Sequence, residues 1–160
     1  MRGLLPVLVA AAVAAPAWAP GTQLPRFALE DQHGVRVEVD EQVALLVVTR
    51  DMDAGDLVKQ ALAGVDQRRL DERRALYVAD ISRMPALVSR LIAIPRMRQR
   101  PYRVLLDRDG SATRDAPYVE KKPTVLFLDR LRITRVEHAA SAEELGRLVG
   151  IGPSTGDAPD

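Results

Sequence analysis

The chain has no cysteine. That single absence removes disulfides, thiolate nucleophiles and cysteine-ligated metals. Histidine is nearly missing as well. His33 and His138 are the only two, and neither has a second ligand at metal-binding spacing, so nothing points to a histidine-based zinc site. Lysine is confined to Lys59, Lys121 and Lys122, and arginine carries the remaining positive charge. The net charge is only +1. With Arg2 set aside in the leader, 22 basic residues face 22 acidic ones. Such a balance creates no overall field for nucleic acid, and none is expected as a partner. No G-x-G-x-x-G follows an apolar run, which makes a flavin- or nicotinamide-linked dehydrogenase the weakest reading; no cofactor is expected.

No apolar run is long enough to span a membrane. The longest, Leu4 to Ala15, follows Arg2 and precedes small residues, the pattern of a secretory signal peptide over residues 1–19. Cleavage after Ala17 or after Ala19 both satisfy the small-x-small rule, and Pro20 disfavours the second. With no cysteine for a lipid anchor, the expectation is a periplasmic protein of a Gram-negative bacterium with no stable membrane anchor after cleavage. The rest, in a chain 47% hydrophobic and 28% charged, reads as one globular domain over residues 24–150 and a disordered tail over 151–160.

The domain alternates in pattern. Phe27 to Val39 reads as a hairpin about the Asp31–Gly34 turn, with Val35, Val37 and Val39 on one face. Val43 to Val48 is apolar throughout, as a strand covered on both faces must be. A helix is expected from Ala54 to Ala63, with Leu57, Val58, Ala61 and Leu62 inward and Gly64 after it. Ala75 to Ile81 is a second buried strand. Ser82 is placed to cap a helix whose apolar face is Leu87, Val88, Leu91 and Ile92, ended or kinked by Pro95. The basic segment Arg96 to Arg103, with Met97 and Tyr102 interleaved, reads either as a solvated helix end or as a surface for an anionic partner or lipid headgroups. Val104 to Leu106 forms a short strand closed by the Asp107–Gly110 turn. Pro123 to Asp129 and Arg132 to Val136 form an antiparallel pair, and Ser141-Ala142-Glu143-Glu144 is a capping box for a last helix that Gly150 ends.

That order argues for an α/β fold, a mixed sheet with helices on both faces. Three segments resemble the thioredoxin fold in the extended form of peroxiredoxins and periplasmic thioredoxin-like proteins. Phe27-Ala28-Leu29-Glu30-Asp31-Gln32-His33-Gly34 resembles that group's opening hairpin, Tyr102 to Gly110 its "fpvllDpdG" segment, and Lys122 to Asp129 the strand that carries its cis-proline. The resemblance implies a thioredoxin-like mixed central sheet flanked by helices, with an extra N-terminal β-hairpin. It also implies a cis bond at Pro123 and, with it, Lys122 facing the turn after the central strand. In the family that turn carries the reactive cysteines. Here Asp53 and Asp56 stand at their spacing, so thiol–disulfide exchange and thiol peroxidase chemistry are excluded.

The Asp turn has three readings. Asp53 as N-cap with Asp56 at the third helical position would suit the helix partial charge. Asp51, Asp53 and Asp56 would together offer oxygens to a hard cation, although the twelve-residue EF-hand spacing from Asp51 ends on Leu62 instead of a glutamate. Acid–base catalysis by the pair would need one pKa raised, against the field of a helix N-terminus. No catalytic residue is assigned. The expected function is an exported, non-redox binding, chaperone or adaptor module that holds a periplasmic polypeptide in a groove formed by Asp53, Asp56, Lys122 and Pro123. The alternative is a metal-dependent or acid–base enzyme that uses the Asp cluster.

Overall fold

A computed structural model describes residues 18–151. Residues 1–17 of the expected leader and 152–160 of the expected tail lie outside the described residues.

One seven-stranded mixed sheet organises the chain, in the order β2-β1-β5-β4-β3-β6-β7. The N-terminal hairpin is β1 (Phe27–Asp31) and β2 (Arg36–Val39), paired antiparallel. Its turn is built by Asp31, whose carboxylate accepts the N–H groups of His33 at 2.8 Å and Val35 at 2.9 Å. Central strand β3 (Leu45–Thr49) is buried at every residue. It runs parallel to β4 (Ala75–Asp80) and antiparallel to β6 (Thr124–Asp129), and β5 (Leu105–Asp107) is parallel to β4. β7 (Arg132–His138) closes one edge, with a bulge opposite Phe127 and Leu128.

Side chains alternate between two core layers, as strand periodicity requires. Leu45, Val47, Tyr77, Ala79, Leu106 and Val125 enter one, while Leu46, Val48, Val78, Leu105, Leu126 and Leu128 enter the other. Every helical residue in these layers belongs to the first: Val58 of α1 (Met52–Ala61), Leu70 of α2 (Gln67–Glu72), Ile94 of α4 (Ile94–Arg98), and Leu145 and Val149 of α5 (Ala142–Val149). The second layer is covered by Trp18, Leu24, Ala116 and Leu131 instead. The helices flank the sheet but do not share its two faces in the core. Topology supplies the reason: β3, β4 and β5 follow one another in a single direction across the sheet, so right-handed crossovers place both connections on the same side.

Four local expectations are corrected. The segment after β4 is one helical stretch, α3 (Ala86–Val88), a π-turn (Ser89–Ala93) and α4, and Ser82 does not cap it, because Pro85 precedes it with no side-chain cap. Pro95 neither ends nor breaks this stretch. Its missing N–H falls where the wide π-turn, with the Ile94 N–H donating back to the Ser89 carbonyl, already interrupts the α-helical pattern. The stretch also packs by the opposite face. Ser89 and Ile94 are buried and Met97 packs partly against the core, whereas Leu87, Val88, Leu91 and Ile92 are exposed. At the C-terminus the core continues through Ile151, which is buried and donates its N–H to Gly146 at 2.9 Å, so Ile151 belongs with the folded residues and not with the expected tail.

Candidate functional site

The turn after β3 sits where sequence placed it, but its parts are distributed differently. Asp51, not Asp53, is the N-cap of α1. Its extended backbone turns the carboxylate back onto the helix, and Oδ1 accepts the Ala54 N–H at 2.8 Å. Asp51 Oδ2 reaches across to the segment before β6, accepting the Lys121 N–H at 2.9 Å and the Tyr118 hydroxyl at 3.1 Å. One carboxylate thus satisfies an orphan helix donor and fastens the 118–121 loop over the helix N-terminus. Burial pushes the Asp51 carboxyl up, but the N–H groups of Ala54 and Lys121, the Tyr118 hydroxyl and the Lys121 charge outweigh it, and the pKa lies below the ordinary carboxylate value.

Asp53 and Asp56 are both exposed on α1. Asp53 Oδ2 lies 3.7 Å from Lys121 Nζ, a solvent-exposed pair of little energetic weight. Asp56 lies beyond the first turn and caps nothing. The three carboxylates are not gathered round a common point, and no group of three His, Asp or Glu arranged to hold a metal occurs among the described residues. Sequence put the cap at Asp53 because Asp56 follows at capping-box spacing. The helix starts earlier because Asp51 has a second, tertiary set of donors that no local pattern reveals.

The opposite wall also differs from expectation. The described residues contain no cis peptide bond, so the Lys122–Pro123 bond is trans. Lys121, with φ 63, turns the chain, and it is Lys121 rather than Lys122 that meets the Asp turn. The backbone of Lys122 and Pro123 is already engaged: Lys122 N–H bonds Val119 at 3.1 Å, and Pro123 C=O accepts Ala139 N–H at 3.1 Å. Pro123 is buried, and the Lys122 N–H and Pro123 C=O are not free to pair with an incoming strand.

Around this turn lies a supporting shell that sequence reading missed. Arg50 follows β3, its guanidinium donating to the carbonyls of Thr113 and of Arg114, the latter at 3.0 Å. Its Nε stands 3.6 Å from Asp80 Oδ2, an ion pair without a hydrogen bond. The guanidinium also lies 5.9 Å from the Tyr118 ring centre, and Arg83 lies 5.8 Å from it. Beneath, the buried Asp107 accepts both the N–H and the hydroxyl of Thr113 at 2.8 Å, fixing the loop that follows the Asp107–Gly110 turn. Gly110 is required there twice over: its φ is +73, and a Cβ would stand 2.7 Å from Ser82 Oγ.

What remains open to solvent at this end is apolar as well as charged. Met52, the first residue of α1, is 75% exposed, and Tyr118 and Val119 in the tied loop are 39% and 36% exposed. A cleft of about 240 Å³, lined by residues including Asp40, Val43, Arg74 and Arg103, lies at the other end of the strands.

The parallel pair β3–β4, the antiparallel pair β6–β7, and a helix that starts at the C-terminal end of the central strand together define the architecture. Solved structures share it. A peroxidoxin BcpB of Mycobacterium tuberculosis superposes with a TM-score of 0.52 at 17% identity, over 82% of this chain and 94% of its own. The fold is thioredoxin-like. A protein described as the thiol:disulfide interchange protein DsbE of Chlorobium tepidum gives 0.55 at 15% identity, covering 84% and 99% of the two chains. A thio-disulfide isomerase of Thermus thermophilus gives 0.50 at 24%, covering 84% and 96%. No family model and no curated protein matches the sequence. At these identities the likeness establishes the thioredoxin-like frame alone. On that frame the absence of cysteine leaves no thiol chemistry for the turn at the head of α1.

Proposed function

We propose that this is an exported, non-redox thioredoxin-like protein that binds a polypeptide at the α1 end of its sheet. The observation that carries the reading is Met52, 75% exposed at the head of α1 where the fold's reactive centre lies in its cysteine-bearing form, next in sequence to Asp51, whose carboxylate ties down the loop that carries the exposed Tyr118 and Val119. Exposed methionine adapts to varied apolar partners, and the tyrosine adds a polar edge. Asp53, Asp56 and Lys121 surround these groups with charge of both signs, the composition of a small recognition surface rimmed by polar groups. Because the Lys122 N–H and the Pro123 C=O are bonded within the chain, recognition rests on side chains more than on β-strand addition. The binding surface is therefore the Met52–Asp56 segment with the 118–121 loop, displaced from the expected groove at Pro123.

Export is part of the same proposal. The apolar leader ends next to Trp18, which is buried in the second core layer, so a cut after Ala17 would keep this core residue in the mature chain.

Photo-crosslinking residues placed at Met52, at Val119 and at the distant exposed Val35 test the binding surface in periplasmic extract. Discrete adducts from positions 52 and 119, weakened by Asp53→Ala with Asp56→Ala and absent from position 35, are the expected result. Equal labelling from all three positions, or none, removes the proposal.

A further inference from the structure

The helical stretch from Ala86 to Arg98 turns the wrong face to solvent for a core helix. Leu87 is 69% exposed, Leu91 67%, Ile92 47% and Val88 40%, at the i, i+1, i+4, i+5 spacing of one continuous stripe. A patch of four large aliphatic side chains on one helix is not the scatter of single apolar residues that ordinary surfaces carry. Its charge surroundings are equally one-sided. From Ile81 to Leu106 the sequence has no acidic residue and six arginines. Three of these are occupied elsewhere: Arg98 donates to the Gln32 carbonyl at 2.9 Å, Arg100 is partly buried, and Arg103 lines the cleft at the far end of the strands. Arg83, Arg90 and Arg96 are exposed. Neither Arg90 nor Arg96 has an ion-pair partner among the described residues, and Arg83 only overlies the Tyr118 ring.

We propose that this stretch is an interfacial helix that docks on an anionic lipid bilayer, its Leu87, Val88, Leu91 and Ile92 stripe entering the acyl boundary and Arg83, Arg90 and Arg96 reaching phosphate headgroups. The chemistry matches on both counts. An amphipathic helix with aliphatic residues on one face and arginines beside it binds by apolar burial together with attraction to anionic lipid. No helix among the described residues is long and apolar enough to cross a membrane, so the attachment is peripheral. An acidic protein groove would satisfy the charges, but the uncompensated arginines suit a continuous anionic surface. A second copy of the chain would bring arginine against arginine.

The chain from Trp18 to Asp160 holds every strand and helix described here and lacks the apolar leader, which would itself enter lipid. Its co-sedimentation is measured with vesicles of phosphatidylglycerol and phosphatidylcholine in equal parts, and with phosphatidylcholine alone. Binding to the first is expected to exceed binding to the second by roughly tenfold or more and to weaken with added salt. Leu87→Ser with Leu91→Ser should lower it by roughly tenfold, and Arg90→Gln with Arg96→Gln by roughly fivefold per arginine. All four side chains are exposed, so circular dichroism and melting temperature should be unchanged in both variants. Equal binding to the two vesicle types, no binding, or binding that neither variant alters overturns the proposal. So does a dimer in sedimentation velocity that Leu91→Ser dissociates, which would make a second copy the occupant.

Discussion

Asp51 and Lys121 lie 70 positions apart in sequence, yet the carboxylate of one accepts the backbone N–H of the other at 2.9 Å. The same Asp51 side chain caps α1 through Ala54. Helix start and crossover loop are therefore one mechanical unit, and Asp51 holds the loop of Tyr118 and Val119 at the head of α1. Asp51→Ala removes the acceptor for two backbone donors and one hydroxyl, and should cost about 1–3 kcal/mol in urea unfolding. Asp53→Ala and Asp56→Ala should each stay within roughly 0.5 kcal/mol, because both side chains are exposed and only Asp53 has even a surface partner. A stability loss at Asp53 that equals the loss at Asp51 would place the cap where the sequence pattern alone suggests.

This contrast also marks how far the sequence was legible. The strands were readable because their apolar runs are bounded by turn residues: Val43 to Val48, Ala75 to Ile81 and Pro123 to Asp129 match Leu45–Thr49, Ala75–Asp80 and Thr124–Asp129 of the central sheet to within two residues. The capping box at Ser141 was equally direct, with Ser141 accepting the Glu144 N–H at 3.1 Å. The failures all turn on tertiary partners. The choice between Asp51 and Asp53 depends on Lys121 and Tyr118, the isomer at Pro123 on a turn made by Lys121, and the buried face of Ala86 to Arg98 on what the neighbouring layer offers. Apolar periodicity identifies a stripe. It does not say whether the stripe meets the sheet or the solvent, and here the small side chains of Ser89 and Ala93 let the helix approach by the other side.

His138 supplies a pH dependence with a definite sign. Thr124 Oγ1 donates its one proton to the Pro117 carbonyl at 2.8 Å, so in its 3.1 Å contact with His138 Nδ1 the imidazole must be the donor. Burial and the nearby Lys122 charge lower the His138 pKa, against a smaller opposing influence of Glu137. The unfolded chain then takes up the proton first as pH falls. The stability held by neutral His138 is complete above the unfolded value of about 6.5 and is lost as pH drops through the lower folded value. Wild type should lose urea midpoint between neutral pH and pH about 5. His138→Asn, which keeps a donor toward Thr124, should flatten that slope, and an unchanged slope would assign the dependence to other groups.

The β6–β7 turn stores strain that substitution can release. Arg130 has φ 46 and Leu131 φ 64, the paired left-handed conformation of a two-residue hairpin loop, without the asparagine or glycine that such loops favour. Leu131 is 2% exposed and must stay, since its side chain fills the second core layer. Arg130 is exposed, and its guanidinium makes only a long contact with Asp129 at 3.9 Å. Arg130→Asn should raise stability by about 0.5–1 kcal/mol with no change in the spectrum of the folded state. Arg130→Val, adding a β-branch at positive φ, should lower it, and thermal melts of the pair check both directions.

Trp18 separates the two proposed cleavage sites. It is 6% exposed, its ring centre lies 6.3 Å from that of Phe27, and its N–H donates to the Asp115 carbonyl at 3.2 Å. A cut after Ala19 would discard this side chain and leave a gap against Phe27 and Leu24 in a layer that no helix covers. A cut after Ala17 keeps it, and the new terminal ammonium can still donate to Asp115. The mature protein recovered from the periplasm should therefore begin at Trp18 by intact mass. A chain that begins at Pro20 should be less stable than one that begins at Trp18 by about 3 kcal/mol, the usual cost of emptying a buried tryptophan site. Equal urea midpoints for the two chains would show that the second layer closes without Trp18, and would return the choice of cleavage site to the sequence rule alone.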